Sequence, residues 1–323
     1  MKGKKIFTAL GVTAAVSGGA ALLHSAIKKY LLKVPLDREP PPSTKRSRES
    51  LTGSKDFLEH FAEVERLSET LENSGLEEVR ITSHDDLELV GHWYSCENPK
   101  RVLIAMHGWR STWSHDFCTI APFFHSNDCC VLYPEQRAQG NSEGDYMGFG
   151  LLECEDCCRW AKWVADHTNN ELPIYLVGVS MGAASVMMAS DMELPERVCG
   201  IIADCGFTSP YAIWKHVVES NLHLPYSLYS KAVEDMCRRK LQVLPDERSC
   251  PKALAATHLP VLFIHGTEDK FVPVEMSYEN YKACASKKRL FVVPGAEHGM
   301  SYSVDTAGYE EEVRRFWADC EKK

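Results

Sequence analysis

The stretch PIYLVGVSMGAASVMMAS, residues 173–190, carries the strongest structural signal in this chain. An apolar run rich in strand-forming residues leads into GVSMG (178–182), and a run of small and apolar helix formers follows. A G-x-S-x-G sequence in this setting is typical of a tight turn whose glycines avoid clashes and whose serine stands exposed. The stretch therefore predicts a strand, a sharp turn at Ser180 and a helix over 181–190. An ordinary Gly-flanked turn is the alternative, which the flanking elements disfavour.

Ser180 needs a base, because a serine hydroxyl is a weak nucleophile until a neighbour removes its proton. After such a turn, the acid and then the base follow along the chain. Asp269 ends HGTED (265–269), directly after the apolar run VLFI, and His298 lies in PGAEHG (294–299), directly after RLFVV. Adjacent strand ends are within side-chain reach of each other, so the sequence predicts a triad of Ser180, Asp269 and His298.

The acid of this triad has two alternatives. Asp204 ends the apolar run CGIIAD, one predicted strand earlier, and Glu268 directly precedes Asp269. The sequence favours Asp269 because it lies on the loop after its strand, but it leaves both alternatives open. For His298 the alternative is a surface histidine with no catalytic role.

Acyl transfer also needs backbone N–H groups aimed at the oxygen on which charge develops. Met181 follows the nucleophile at the start of the predicted helix, where the helix dipole assists. A second donor is expected from HGW (107–109), because Gly108 permits a close approach of the backbone. We therefore predict an oxyanion hole formed by the N–H groups of Met181 and Trp109.

Strands and helices are predicted to alternate through most of the chain. EEVRITS and LELVGHWY indicate a leading antiparallel pair. Six apolar runs follow, at 102–108, 130–136, 173–180, 199–206, 261–266 and 289–295, with helices at 149–167, 181–190 and 306–321. Continuous apolar runs suit parallel strands that are buried on both faces. The pattern predicts an α/β fold with a mostly parallel, doubly wound sheet of about eight strands and a ligand site at their carboxyl ends.

One long segment, residues 207–258, interrupts this alternation between the sixth and seventh predicted strands. An insertion of this length is more often functional than idle, so we predict a helical cap over the site. Its aromatic residues Tyr211 and Trp214, together with Trp113 from an earlier loop, are the predicted substrate-binding residues. For Trp113 a place in the hydrophobic core is an equal alternative.

Composition restricts the possible partners and ligands. The formal net charge of −9 argues against a nucleic-acid partner, which would require a basic face. The 13 cysteines include several inside apolar runs, which indicates buried thiols acting as small hydrophobes. Cys154 and Cys157 form one C-x-x-C, but no second pair completes a zinc site, so no metal site is predicted.

The N-terminal region, residues 1–33, predicts a membrane segment. Residues 6–27 are apolar, follow three lysines, and are long enough to cross a hydrocarbon core of roughly 30 Å. An uncleaved signal anchor is favoured over a cleavable signal peptide, because the apolar run continues past the small residues at 18–21. The chain is therefore expected at a membrane with an extracytoplasmic catalytic domain, although lysines on both sides of the segment leave its orientation open.

Residues 34–76 connect this segment to the catalytic domain, which is predicted at 77–323. Residues 34–54 are Pro-rich and charged, and they predict a linker with little fixed structure. Residues 55–74 have apolar positions at helical spacing and predict a leading helix.

Together, these motifs resemble the α/β-hydrolase superfamily over residues 77–321. QRAQGNSEG (136–144) resembles the D-x-R-G-x-G-x-S-x-G pattern of its serine-aminopeptidase and monoacylglycerol-lipase-like branch, with Glu135 near the Asp position and Ala138 in place of a Gly. The whole is similar to bacterial membrane-anchored or exported α/β-hydrolases. The resemblance implies an α/β-hydrolase fold with a cap after strand six, an acyl-enzyme on Ser180, and no metal or organic cofactor.

Three functions follow as hypotheses. The first is hydrolysis of a carboxylic ester or thioester of a small-molecule acyl substrate. The second is a serine aminopeptidase-like activity, which needs an acidic subsite for the substrate amine; Glu219, Glu234 and Asp235 are candidates, or else a solvated helix face. The third is a non-catalytic binding protein of the same fold, but such proteins usually lose a triad residue.

Overall fold

The computed structural model describes residues 32–39 and 55–322. The predicted membrane segment and residues 40–54 of the predicted linker lie outside the described residues. In the parts that are described, no helix is both long and apolar enough to span a bilayer. Membrane anchoring and the side of the membrane stay predictions.

A single eight-stranded sheet runs through the described residues. Its strands are Glu77–Thr82 (β1), Glu88–Tyr94 (β2), Arg101–Met106 (β3), Cys129–Pro134 (β4), Ile174–Val179 (β5), Val198–Asp204 (β6), Val261–Gly266 (β7) and Lys288–Val293 (β8). They are ordered β1-β2-β4-β3-β5-β6-β7-β8, and only the β1–β2 and β2–β4 pairs are antiparallel. The predicted mostly parallel sheet with a leading antiparallel pair is confirmed.

Helices cover both faces of this sheet. They are Lys55–Glu72 (α1), Trp113–Phe117 (α2), Ala121–Ser126 (α3), Glu153–His167 (α4), Met181–Ala189 (α5), Pro210–His216 (α6), Ser230–Lys240 (α7), Cys250–Ala256 (α8), Val274–Ala283 (α9), Ser301–Val304 (α10) and Thr306–Glu321 (α11). A π-helical turn (Val217–Asn221) and a 3-10 turn (Tyr226–Leu228) join α6 to α7. The predicted helix at 149–167 begins four residues late, at Glu153.

The core lies on both faces of the sheet. One cluster packs strand residues against α4 and α5, and a second packs them against α1, α2, α3 and α11. Every residue of β3, β4 and β7 is buried, as expected for parallel strands covered on both sides. This burial explains why these strands read as continuous apolar runs rather than alternating ones.

The segment predicted as a cap, residues 207–258, contains α6, α7, the two turns between them and α8. Of these helices, α8 packs against α5 and α9 in the helix layer of the domain. Cys250 and Leu254 of α8 are fully buried, and the thiol of Cys250 lies 3.6 Å from the carbonyl oxygen of Ala184. The apolar face of α8 therefore belongs to the core of the domain. A role of this segment as a cap over the site stays a prediction.

Residues 32–39 correct the prediction that the linker has little fixed structure. Leu36 is fully buried and Val34 nearly so, and Asp37 pairs with Tyr146 in an antiparallel bridge. Val34 and Leu36 lie in a turn that the Asp37 N–H closes by donating to the carbonyl oxygen of Lys33 at 3.0 Å. Two apolar residues in one turn are too short a pattern to stand out beside the Pro-rich residues that follow. This part of the predicted linker is bound to the catalytic domain.

The 13 cysteines all lie in the described part of the chain and are free thiols. Nine of them are buried, which confirms the interpretation of most as small apolar side chains. Burial raises the pKa of Cys118 to about 11, so such thiols stay protonated and unreactive at neutral pH.

Candidate active site

Ser180 occupies the turn between β5 and α5. Its backbone has φ 55° and ψ −114°, a strained conformation for a residue other than glycine and one that lifts the hydroxyl off the sheet. A Cβ at Gly178 would clash with the backbone of Gly182, and a Cβ at Gly182 would clash with the carbonyl oxygen of Met106. Both glycines are therefore required by close backbone approach.

His298 lies on the loop after β8 and faces this serine. Its Nε2 is 2.9 Å from Oγ of Ser180, and its Nδ1 is 2.6 Å from Oδ2 of Asp269. An Nδ1–H that donates to the carboxylate leaves Nε2 as the acceptor for the serine proton. The structure thus brings the three predicted triad residues into one hydrogen-bonded chain.

Asp269 lies on the loop after β7 and is held from several sides. Its Oδ1 accepts the N–H groups of Phe271 (3.0 Å) and Val272 (2.8 Å). Burial opposes its ionisation, but hydrogen bonds from His265 and His298 outweigh burial and lower the pKa of Asp269 below its ordinary value. The carboxylate is therefore charged at neutral pH and suited to stabilise a protonated His298.

The two alternative acids are not bonded to His298. Glu268 is exposed, and the side chain of Asp204 is buried and accepts the hydroxyl of Ser301 at 3.3 Å. Burial raises the pKa of Asp204 to about 6, although hydrogen bonds from Tyr309 and Ser301 oppose the rise. Asp204 contacts Ser180 through its backbone, because its carbonyl oxygen accepts the N–H of Ser180 at 2.9 Å.

We expect Asp204→Asn to raise the free energy of unfolding at about pH 8, by up to about 3 kcal/mol. The folded pKa of about 6 exceeds the ordinary 3.8, so wild-type stability falls as pH rises between these values and stays lowered above them. Urea unfolding at about pH 8 and about pH 4 measures this effect. The gain should vanish at the lower pH, and an equal gain at both would contradict the argument.

The two predicted oxyanion donors flank Ser180. Met181 is fully buried at the first position of α5, and a Cβ at Gly108 would lie 3.4 Å from Cβ of Ser180. The loop that contains Trp109 therefore runs beside the nucleophile. Asp116 fixes this loop, since its Oδ2 accepts the Gly108 N–H at 2.6 Å. The roles of the Met181 and Trp109 N–H groups stay predictions that these positions support.

Comparison with known proteins identifies the family. Residues 102–311 match the model of the alpha/beta hydrolase family, which is more than half of the 323-residue chain. The chain belongs to the alpha/beta hydrolase family. The eight-stranded, mostly parallel sheet agrees with this assignment, and by family the protein is a hydrolase.

Relatives of this alpha/beta hydrolase occur in several bacteria. The uncharacterized protein YqkD of Bacillus subtilis is 23% identical over 319 residues, which cover 97% of each chain. The uncharacterized protein YfhR of Escherichia coli O157:H7 is 26% identical over 251 residues, 74% of this chain and 80% of YfhR.

Solved structures show the same fold. The Pyrococcus furiosus esterase PF2001 aligns with a TM-score of 0.62 at 22% identity, covering 76% of this chain and 91% of the esterase. A structure of Est1E from Butyrivibrio proteoclasticus with ferulic acid bound aligns with a TM-score of 0.58 at 18% identity, covering 76% of this chain and all of Est1E. At these identities the likeness shows the fold alone.

The predicted substrate-binding aromatics occupy different places in this hydrolase. Trp214 on α6 is buried, with its ring 5.1 Å from that of Phe149, which in turn lies 5.6 Å from the ring of Trp109. These rings form a continuous apolar wall between the cap and the loop beside Ser180. Tyr211 is partly exposed and packs edge-on against Tyr226 at 5.4 Å.

Trp113 does not join that aromatic wall. Its ring stacks on His92 at 4.3 Å and lies 5.5 Å from Tyr133, within the core cluster beneath α1 and α2. It borders a cavity of about 330 Å³, which Glu72, His92 and Glu135 line together with His107 and Ser111 of the loop beside Ser180. α2 points the side chain of Trp113 into the core, apart from Trp214, which fits the alternative of a core aromatic. A role of Trp113 in substrate binding stays a prediction.

Two side chains beside the triad have no role in the sequence-based prediction. His265 is fully buried, with Nε2 3.2 Å from Oδ2 of Asp269 and Nδ1 2.6 Å from Oγ of Ser277, so it helps to orient the acid. Cys205 offers a ligand atom within 4.8 Å of those of Asp269 and His298. Burial raises the pKa of this thiol well above its ordinary value, which makes it a poor metal ligand. The sequence does contain one indication that His265 contacts Asp269, since it lies only four residues before it, at the end of β7.

Proposed function

We propose that this alpha/beta hydrolase is a serine esterase that cleaves carboxylic esters or thioesters through an acyl-enzyme on Ser180. The observation that carries the proposal is the chain of two hydrogen bonds, 2.9 Å from His298 Nε2 to the serine Oγ and 2.6 Å from His298 Nδ1 to Asp269. An ionised Asp269 in this position makes His298 a base for the serine proton. The Pyrococcus furiosus protein PF2001, which shares this fold, is an esterase by name, and this agrees with the proposed chemistry.

In the proposed first step, His298 Nε2 takes the proton of Ser180 as Oγ attacks the ester carbonyl. The N–H groups of Met181 and Trp109 donate to the resulting oxyanion, where such donors lower the barrier most. As the intermediate collapses, protonated His298 gives its proton to the leaving alcohol or thiol. A water molecule deprotonated by His298 then attacks the acyl-enzyme, and Ser180 recovers its proton as the carboxylic acid leaves.

The environment of the site supports an apolar acyl group. The rings of Trp109, Phe149 and Trp214 lie next to one another between α6 and the loop that contains Trp109. An apolar surface of this kind favours a hydrophobic acyl chain of small or medium size. The peptidase alternative lacks comparable support, because Glu219, Glu234 and Asp235 are all exposed on the cap. The intact triad disfavours a purely non-catalytic role.

The first test is labelling of the full chain by a fluorophosphonate, followed by mass spectrometry of the labelled peptide. We expect the label on Ser180, since the probe reacts with a serine activated by its base and oxyanion hole. A series of p-nitrophenyl esters from acetyl to dodecanoyl, with matching anilides, then tests the substrate class. Turnover of esters but not anilides supports an esterase. A folded chain that takes no label would overturn the proposal.

A further inference from the structure

We propose that residues 32–39, here called the strap, are a positioning element of the active site that holds the oxyanion loop (residues 107–112) beside Ser180. This inference rests on the proposed function, because it concerns the backbone donor at Trp109. The strap precedes the catalytic domain in the chain and yet contacts the loop on which that donor lies.

Strap and loop are joined by several hydrogen bonds. The indole Nε1 of Trp109 donates to the carbonyl oxygen of Pro35 at 2.9 Å. The Arg110 guanidinium donates to the carbonyl oxygens of Val34 (2.8 Å), Asp37 (2.5 Å) and Arg38 (3.1 Å). Two successive loop residues thus use their side chains to bind strap backbone.

The backbone of the loop has an unfavourable conformation at Arg110. Arg110 has φ 52°, a left-handed conformation that is unfavourable for a residue with a side chain. Such a conformation persists only where surrounding contacts stabilise it. The strap carbonyl oxygens stabilise it by accepting hydrogen bonds from the Arg110 guanidinium. On the other side of Trp109, Asp116 holds the N–H of Gly108 at 2.6 Å. The Trp109 donor therefore lies between two fixed points, one of which depends on the strap.

The strap is also bound to other parts of the domain, so it can hold the oxyanion loop in a fixed position. Leu36 is fully buried, and its carbonyl oxygen accepts the N–H of Met147 at 2.7 Å. The Arg38 guanidinium donates to the carbonyl oxygens of Ser142 (2.7 Å) and Gly140 (2.6 Å). These bonds join the strap to the loop after β4.

The strap also reaches the predicted cap. Lys240, the last residue of α7, forms an ion pair with Asp37 and donates to the carbonyl oxygen of Leu32 at 3.2 Å. One short segment therefore contacts both the oxyanion loop and the cap. These are the two parts that border the aromatic wall of Trp109, Phe149 and Trp214.

The test measures the second-order rate of fluorophosphonate labelling, and kcat and KM for a p-nitrophenyl ester, on the full chain. Arg110→Met keeps the aliphatic stem but removes every donor to the strap. We expect labelling and kcat to fall by about 10- to 100-fold, because a misplaced oxyanion donor loses transition-state stabilisation. KM should change by less than about threefold. Arg110→Lys replaces the branched guanidinium by a single ammonium group, so its labelling rate and kcat should lie between those of the wild type and Arg110→Met.

Arg248→Met is the matched control. This arginine also binds a backbone carbonyl and a carboxylate, those of Met188 (2.8 Å) and Asp191 (2.5 Å), but it does not contact the strap. Its labelling rate should equal that of the wild type. Melting curves confirm that each variant is folded at the assay temperature, and Arg110→Lys carries the test if Arg110→Met does not fold.

The outcomes separate this inference from the proposed function. If the folded wild type takes no label, the proposed function fails, whatever the variants do. If the wild type labels at Ser180 and folded Arg110 variants label equally fast, the strap inference alone is overturned. A lower melting temperature with unchanged kcat would likewise overturn it, because the strap would then only stabilise the fold.

Discussion

Ser180→Ala is expected to lower kcat for ester hydrolysis by about 10⁴- to 10⁶-fold. The hydroxyl of Ser180 is the group on which the acyl-enzyme forms, and no other hydroxyl is hydrogen-bonded to His298 Nε2 among the described residues. The remaining rate should come from the oxyanion donors and from substrate binding, which the substitution leaves in place. Steady-state kinetics on a p-nitrophenyl ester, with fluorophosphonate labelling in parallel, measure the loss.

Ser190→Ala is the control for this substitution. Ser190 follows α5, and the residue is as buried as Ser180, 6% exposed in each case. Its hydroxyl has no hydrogen-bond partner, so its removal should leave kcat unchanged. A Ser180→Ala protein that kept more than about 1% of the wild-type kcat would contradict the mechanism and point to another nucleophile.

Asp269→Asn is expected to lower kcat by about 10³- to 10⁴-fold while the chain still folds. An asparagine amide can donate to Nδ1 of His298, which would place the ring proton on Nε2 and block its role as base. The same substitution should lower the free energy of unfolding at neutral pH. The depressed pKa of Asp269 means that its charge stabilises the folded state above the ordinary value of 3.8, and that this contribution is lost as pH falls below it.

Two matched variants decide which acid acts. Glu268→Gln removes the exposed neighbouring carboxylate and should leave kcat unchanged. Asp204→Asn should raise the free energy of unfolding at about pH 8 but not at about pH 4. It should reduce kcat far less than Asp269→Asn does, because the carboxylate of Asp204 contacts Ser301 and not the Nδ1 of His298. If Asp204→Asn had the larger effect on kcat, the acid would be assigned to β6, and the 2.6 Å contact of Asp269 would be structural.

Much of the fold was predictable because its signals are local. A strand such as β7 is buried on both faces, so its sequence begins with a continuous apolar run, VLFI. Such a run predicts a central parallel strand. Gly178 is required by close approach within the turn, and Gly182 by close approach to the carbonyl oxygen of Met106 on β3. The two glycines flank Ser180 and so mark the nucleophile in the sequence. The positions of Asp269 and His298 followed from the convergence of parallel strand ends.

Other features depended on contacts between distant segments. The choice of Asp269 over Asp204 rests on which carboxylate meets His298, and both follow a buried strand. The place of α8 in the core depended on its packing against α5, and the place of Trp113 depended on the direction of α2. Two residues of the same type that follow similar local sequences can therefore differ in their contact partners and in the direction of their side chains.

The sequence alone was enough to establish the α/β class, the strand–turn–helix at Ser180 and the three triad candidates, because burial period and turn chemistry are encoded in neighbouring residues. Only the tertiary structure revealed that His265 supports Asp269 and that the strap binds the oxyanion loop. Arg110 and Val34 are 76 positions apart, and their contact leaves no periodic pattern in either segment. A contact of this kind depends on how distant segments pack in the folded domain, and the residues next to each segment in the sequence do not encode that packing.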